Sequence, residues 1–172
     1  MGTSEKIAFF VLLKAFDRLG NVLQSMDIAL PKAIVLLTDD LWGSLALEKT
    51  QHININPALE AIDAAVVDEQ DANSEEILKN LYLYAFSDFL MVFSEGKASL
   101  EAAESSIIDV YDYMAAQQFL LNEKEGKAVI LSDDDEEKIK NDPLYVNELT
   151  ALRTDRAFAE NIVQWEDAVA FR

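Results

Sequence analysis

Hydrophobic residues recur at intervals of three and four along most of the chain, the spacing that lines one face of an α-helix. Six segments follow it, and their predicted bounds are Glu5 to about Leu19, Pro31 to about Leu47, Asn56 to about Asp68, Asn73 to about Ser94, Ser99 to about Asn122, and Asp142 to about Val169. Stripes such as Ile34, Leu37 and Leu41 supply the apolar faces. Helix starts coincide with Asn, Ser, Asp or Pro, residues that suit a helix N-terminus.

The pattern changes in three places. Residues 81–93, LYLYAFSDFLMVF, are apolar nearly all round, which is typical of a helix at the buried centre of a bundle. Residues 50–56 and 127–131 lack helical periodicity and are interpreted as connectors. The sequence therefore predicts an all-α fold, a single domain over residues 1–172 built as a bundle of six to eight helices, with a short α-solenoid as the alternative.

Composition narrows the class of protein. The chain has 172 residues, of which 51% are hydrophobic, enough for a core that needs no disulfide or metal. It has no cysteine, which excludes thiol catalysis and thiolate zinc sites. The apolar run from Ile7 to Leu13 is too short to span a bilayer, so we expect a soluble, cytoplasmic protein.

The net charge of −18 is concentrated in the middle of the chain. Residues 51–123 hold fourteen acids and two bases, and thus twelve of the eighteen excess negative charges. Nucleic acids and anionic membranes are poor partners for such a surface, because both attract positive charge. A basic protein partner is the better match.

The acidic stretch SDDDEEKIKND at 132–142 resembles a calcium loop only superficially. It lacks the turn glycine, and lysines fall where ligands should be. Ser132 instead predicts an N-cap, followed by acids in the first turn of a short helix and Lys138 and Lys140 in its last turn. Asp142 then caps the next helix.

Catalytic residue sets are scarce in this sequence. The single histidine, His52, lies in a predicted loop and is interpreted as a surface residue. Carboxylate pairs such as Asp109 with Asp112 are read as solvated helix faces rather than metal ligands, and no phosphate-binding or dinucleotide motif is present. The sequence indicates no enzyme, no metal and no cofactor. Trp165 and Phe171 are equally compatible with core packing and with an interface to a partner or a twin subunit.

Three segments together resemble the YjaG-like family of uncharacterised, all-helical bacterial proteins. They are FDRL at 16–19, DDLWGSL at 39–45, and the acidic helix followed by NDPLYVNEL at 141–149. Asp142 departs from the family's asparagine before proline, and Gly20-Asn21-Val22 from its Pro-Asn-Tyr. The resemblance implies an all-helical fold and carries over no catalytic residue. Similar all-helical domains occur among immunity proteins that neutralise polymorphic bacterial toxins.

Three hypotheses follow. The first is an immunity protein that inhibits a toxin by covering its basic active-site groove; the second is a homodimeric structural or regulatory domain; the third is an enzyme using paired carboxylates and a divalent metal. For the first, the candidate partner-binding residues come from the base-free stretch between Lys49 and Lys79, and they are Asp63, Asp68, Glu69, Asp71, Glu75 and Glu76.

Overall fold

The computed structural model describes residues 2–47, 53–95, 100–124 and 130–172, with side chains described for all of these except 92–95 and 100. Within these ranges the protein is an all-helical bundle without strands, which confirms the predicted fold class. The elements are α1 (Thr3–Ser25), α2 (Lys32–Ala46), α3 (Asn56–Ala65), α4 (Ser74–Glu95), α5 (Leu100–Glu123), α6 (Asp133–Lys140), α7 (Pro143–Ala159) and a final 3₁₀ helix (Trp165–Phe171).

Helix α1 lies at the centre of the bundle. It packs against α2, α4, α5 and α7, and its residues 9–13 are all buried. Helix α4, predicted to be buried all round, has an exposed face instead, since Tyr84 is 42% and Met91 39% exposed. The opposite face of α4 places Tyr82 and Phe86 against Phe16 of α1, with ring centroids 5.8 and 5.0 Å away.

Two predicted helix ends are wrong. Helix α1 does not stop at Gly20 but continues to Ser25. The added turn buries Leu23 completely, and this burial of apolar surface stabilises it. Helix α7 ends at Ala159 instead of Val169. The chain then turns so that Trp165, 5% exposed, packs edge-on to Phe10 at 6.2 Å.

The predicted caps are confirmed where they are described. Asn73 Oδ1 accepts from the Glu76 amide at 3.0 Å, and Glu76 Oε2 accepts from the Asn73 amide at 2.9 Å, which is a reciprocal capping box. Ser132 caps α6 and Asp142 caps α7. Among the helices of the described ranges, none is both long and apolar enough to cross a membrane.

Candidate functional site

The six predicted contact residues lie on one continuous stretch, residues 60–76, which we call the acidic segment. It runs from the last turns of α3 through a connecting loop into the first turn of α4. Asp63, Asp68, Glu69, Asp71 and Glu75 are exposed, and Glu76 is half-buried. The structure therefore presents five of the six predicted carboxylates to solvent.

None of these six carboxylates forms an ion pair with any other residue that the structure describes. Their hydrogen bonds are local. Glu76 caps α4 as described above, and Asp68 Oδ1 accepts from the Gln70 amide at 3.0 Å. Neither contact brings a positively charged group to the acidic segment.

Asn80 fixes the acidic segment on the bundle. Its side chain is fully buried in α4. Its Nδ2 donates to the Val67 carbonyl at 2.8 Å, and its Oδ1 accepts from the Val67 amide at 3.1 Å. This reciprocal pair holds the loop backbone between two acidic groups, Asp63 on one side and Asp68 to Asp71 on the other. Sequence reasoning missed it because one asparagine in an amphipathic helix has no distinguishing pattern.

Some acids elsewhere in the chain form ion pairs. Glu104 on α5 pairs with Arg156 on α7. Asp135 on α6 pairs with Lys124 at 3.2 Å, and hydrogen bonds from the Ser132 backbone and side chain lower the pKa of Asp135. Within residues 51–123 the Glu104–Arg156 pair offsets one negative charge, whereas the six candidate carboxylates of the acidic segment have no ion partner among the residues that the structure describes.

A buried ionic network joins α1, α5 and α7. Arg18 Nε and one Nη donate to Glu148 at 2.9 and 2.7 Å, and its other Nη donates to Asp155 at 2.5 Å. Burial alone would lower the pKa of Arg18, but the bonds and charges of Glu148 and Asp155 raise it overall. Burial, with the charge of Glu148, also raises the pKa of Tyr111 on α5.

The sequence held a signal for this network. Glu148 and Asp155 are seven residues apart, and together with Leu152 and Ala159 they form the buried stripe of α7. Leu149, next to Glu148, is only partly buried. An acid spaced at a heptad interval on an otherwise apolar stripe predicts a buried counter-ion, and Arg18 supplies it.

A second ionic cluster connects the final helix to α1 and α2. The Arg172 guanidinium donates to Asp17 at 2.8 and 3.1 Å and to Asp39 at 2.5 Å. Trp42 is 1% exposed and donates its indole N–H to Asp17 at 2.9 Å. These bonds raise the pKa of Arg172 against the opposing effect of its burial.

Beside this cluster is a cleft of about 530 Å³ between α1, the α1–α2 connection and α2. Its lining includes buried apolar side chains such as Phe16, Ile28 and Ile34, which we call the floor. It also includes the more exposed charged groups of Asp17, Asp27 and Arg172, which we call the rim. Tyr82 closes one side. Burial, with the charge of Asp17, raises the pKa of Tyr82.

The structure also places the predicted chemical candidates. His52 lies outside the described residues. Within the described ranges, no group of three or more His, Asp and Glu side chains is arranged to hold a metal ion. Trp165 is core, whereas Phe171 is 42% exposed and stacks edge-on against Phe158 at 4.7 Å. With Val163, which is 91% exposed, these two phenylalanines form an apolar patch at the surface.

Comparisons of the chain with protein-family models, with curated proteins and with solved structures gave no significant match. What the protein does must therefore be argued from its own residues.

Proposed function

We propose that this protein is an acidic binding protein that captures a basic protein partner through the acidic segment. The role that suits such a surface best is that of an immunity protein, which neutralises a bacterial toxin by covering a basic active-site surface. The observation that carries the proposal is a row of exposed carboxylates, without ion partners in the described part of the chain, on and beside a loop fixed by Asn80. The protein is proposed to inhibit by binding, without catalysis of its own.

The distribution of charge supports the acidic segment, rather than the acidic helix α6, as the proposed binding surface. Helix α6 carries five acids, but Lys138 and Lys140 lie in its last turn and Lys124 pairs with Asp135. The acidic segment has no lysine or arginine between residues 60 and 76. A surface of one charge sign steers an oppositely charged partner and raises its association rate about 10- to 1,000-fold at low salt.

The test compares two variants with the same change of charge. In the first, four acids of the segment are neutralised: Asp68→Asn, Glu69→Gln, Asp71→Asn and Glu75→Gln. In the control, four exposed acids of α6 are neutralised: Asp133→Asn, Asp134→Asn, Glu136→Gln and Glu137→Gln. Cross-linked partners are identified from native cells by mass spectrometry, and the association rate of the purified partner is then measured against salt concentration.

We expect wild type and the α6 control to capture the same basic protein, and the segment variant to associate at least about tenfold more slowly at low salt. The wild-type rate should fall steeply as salt is added, because exposed charges are screened. A salt-indifferent rate, or equal losses in both variants, would show that the segment serves only as a solvated surface.

A homodimeric domain is the second candidate, and the apolar patch of Phe158, Val163 and Phe171 favours it. Exposed apolar side chains that lie together are typical of interfaces. Sedimentation would then show a stable dimer that Val163→Glu converts to monomer. A monomer at all concentrations would remove this candidate.

A further inference from the structure

The cleft between α1 and α2 lies at the same end of the bundle as the acidic segment. Phe9 packs on Phe89 at 5.3 Å and Phe16 on Tyr82 at 5.8 Å, so α1 and α4 run antiparallel. The second half of α1, which borders the cleft, is therefore beside the first half of α4. Seven residues separate Tyr82 from Glu75, about 10 Å along the helix axis.

Charge decides what the cleft can hold. Among the lining residues that the structure describes, Arg172 is the only cation, and it is already bonded to Asp17 and Asp39. Asp27, exposed and without an ion pair among the described residues, adds a third carboxylate. Asp39 lies outside the lining, so the cleft itself holds two carboxylates, Asp17 and Asp27, against one guanidinium. The resulting excess of one negative charge favours a cationic occupant and disfavours an anion at the free N–H groups of Arg172.

Shape and polarity specify the cation further. The volume of about 530 Å³ falls in the range of about 300–1,000 Å³ that ligand sites occupy. The floor is apolar and the carboxylates are at the rim. This arrangement suits an alkyl stem that ends in a charged head, because such a side chain buries its methylenes while the head stays near water.

We propose that the cleft receives a lysine or arginine side chain of the basic partner, with its stem on the apolar floor and its head beside Asp17 and Asp27. The inference rests on the proposed function, since it assigns the cation to the captured partner. The acidic segment then attracts the partner, and the cleft fixes one of its basic side chains in place.

The test uses a capped peptide with one arginine between two pairs of lysines, and a matched peptide in which neutral citrulline replaces the arginine. Binding is followed by heteronuclear NMR at the Gly20 and Asn21 amides and the Trp42 indole, and Kd is obtained from the titration. Asp27→Asn removes one rim charge and keeps the fold, because asparagine tolerates the positive φ of 61° at this position. The control is Asp40→Asn, which removes an exposed carboxylate that lies outside the cleft.

We expect the arginine peptide to shift the cleft signals, and Asp27→Asn to raise its Kd up to about fivefold, the upper end for an exposed charge pair. Citrulline should raise the wild-type Kd by at least as much, and Asp40→Asn should leave it unchanged. Equal affinity of both peptides, or shifts confined to other surfaces, would overturn the proposal. So would free butylguanidinium binding as tightly as the peptide, since a small ligand would then be the occupant.

The two proposals fail separately. The variant with the neutralised acidic segment should bind both peptides with a higher Kd than wild type, because the peptide lysines are proposed to contact the acidic segment. If that variant loses affinity while Asp27→Asn has no effect, the cleft assignment is wrong and the binding function stands. If instead the segment variant binds both peptides like wild type, the proposed function is wrong.

Discussion

Arg18 and Glu148 are 130 residues apart in the chain, and the guanidinium donates two parallel hydrogen bonds of 2.9 and 2.7 Å to the carboxylate. Asp155 lies seven residues further along the same buried stripe of α7 and accepts a third bond from Arg18. The Lys14 ammonium is 3.6 Å from the Asp155 carboxylate. This network fixes the register of α7 against α1, because a shift of one residue along α7 would leave Glu148 buried without its counter-ion.

Arg18→Gln is expected to destabilise the protein by about 3 kcal/mol, since removal of one partner leaves a buried charge uncompensated. Glu148→Gln should cost less, because the remaining cation is partly exposed and still has Asp155. Urea unfolding of both single variants and of the double variant provides a thermodynamic cycle. A coupling free energy near zero would mean that the pair contributes geometry without stability.

Asn80→Ala should lower the free energy of unfolding by about 1–2 kcal/mol, because the variant loses two hydrogen bonds to Val67. The effect should be local. Hydrogen exchange at the Val67 amide is expected to become faster in this variant, whereas Asn122→Ala, at an exposed asparagine of α5, should change neither quantity. Unchanged exchange at Val67 would show that other contacts hold the loop.

Gly20→Ala is expected to stabilise the protein by about 0.5–1 kcal/mol, because glycine within a helix loses more backbone freedom on folding than alanine does. A Cβ at this position would meet Leu30 Cδ1 at 3.6 Å and the Tyr82 hydroxyl at 3.9 Å, which are ordinary contacts. Gly43→Ala, with no atom within 4 Å of the new Cβ, is the matched comparison. Thermal unfolding of both measures the gain, and a loss confined to Gly20→Ala would indicate crowding at the cleft.

Asp135 links stability to pH. Its pKa is lowered, chiefly by the hydrogen bonds from Ser132, so ionised Asp135 stabilises the folded state at pH values above the ordinary carboxylate pKa. This contribution is lost as the pH falls through the lowered pKa. Asp135→Asn should therefore be less stable than wild type at neutral pH, and the difference should vanish in strong acid. A difference that is constant with pH would contradict the assignment.

The Ser132 hydroxyl has a separate role at the same cap. Ser132→Ala removes the acceptor for the Asp135 amide and should cost about 1 kcal/mol at neutral pH. It should also shrink the pH-dependent difference between wild type and Asp135→Asn, which chemical unfolding across a pH series would measure.

Local signals in the sequence predicted much of the fold. Apolar stripes identified the buried faces of α1 and α2, and side chains such as Asn73 and Ser132 located helix starts, since a cap depends on residues only three positions away. The exposure of the candidate carboxylates, Asp63 among them, follows equally from local polarity.

Features set by distant residues were beyond local reasoning. Helix α1 continues beyond Gly20 because Leu23 is buried in the core. The chain turns after Ala159 because Trp165 packs against Phe10. The Arg18 network and the cleft each combine helices far apart in the chain. Periodicity predicts that a residue faces the core, but it does not predict which residue of another helix it will contact.

The reciprocal bonds between Asn80 and Val67 also bear on how tightly the proposed partner would be held. A disordered acidic tail must give up conformational entropy when it binds, and that loss subtracts from its affinity. A loop whose backbone is already ordered by the fold loses less conformational entropy when it binds. Less of its electrostatic binding free energy is then offset, and the complex dissociates more slowly.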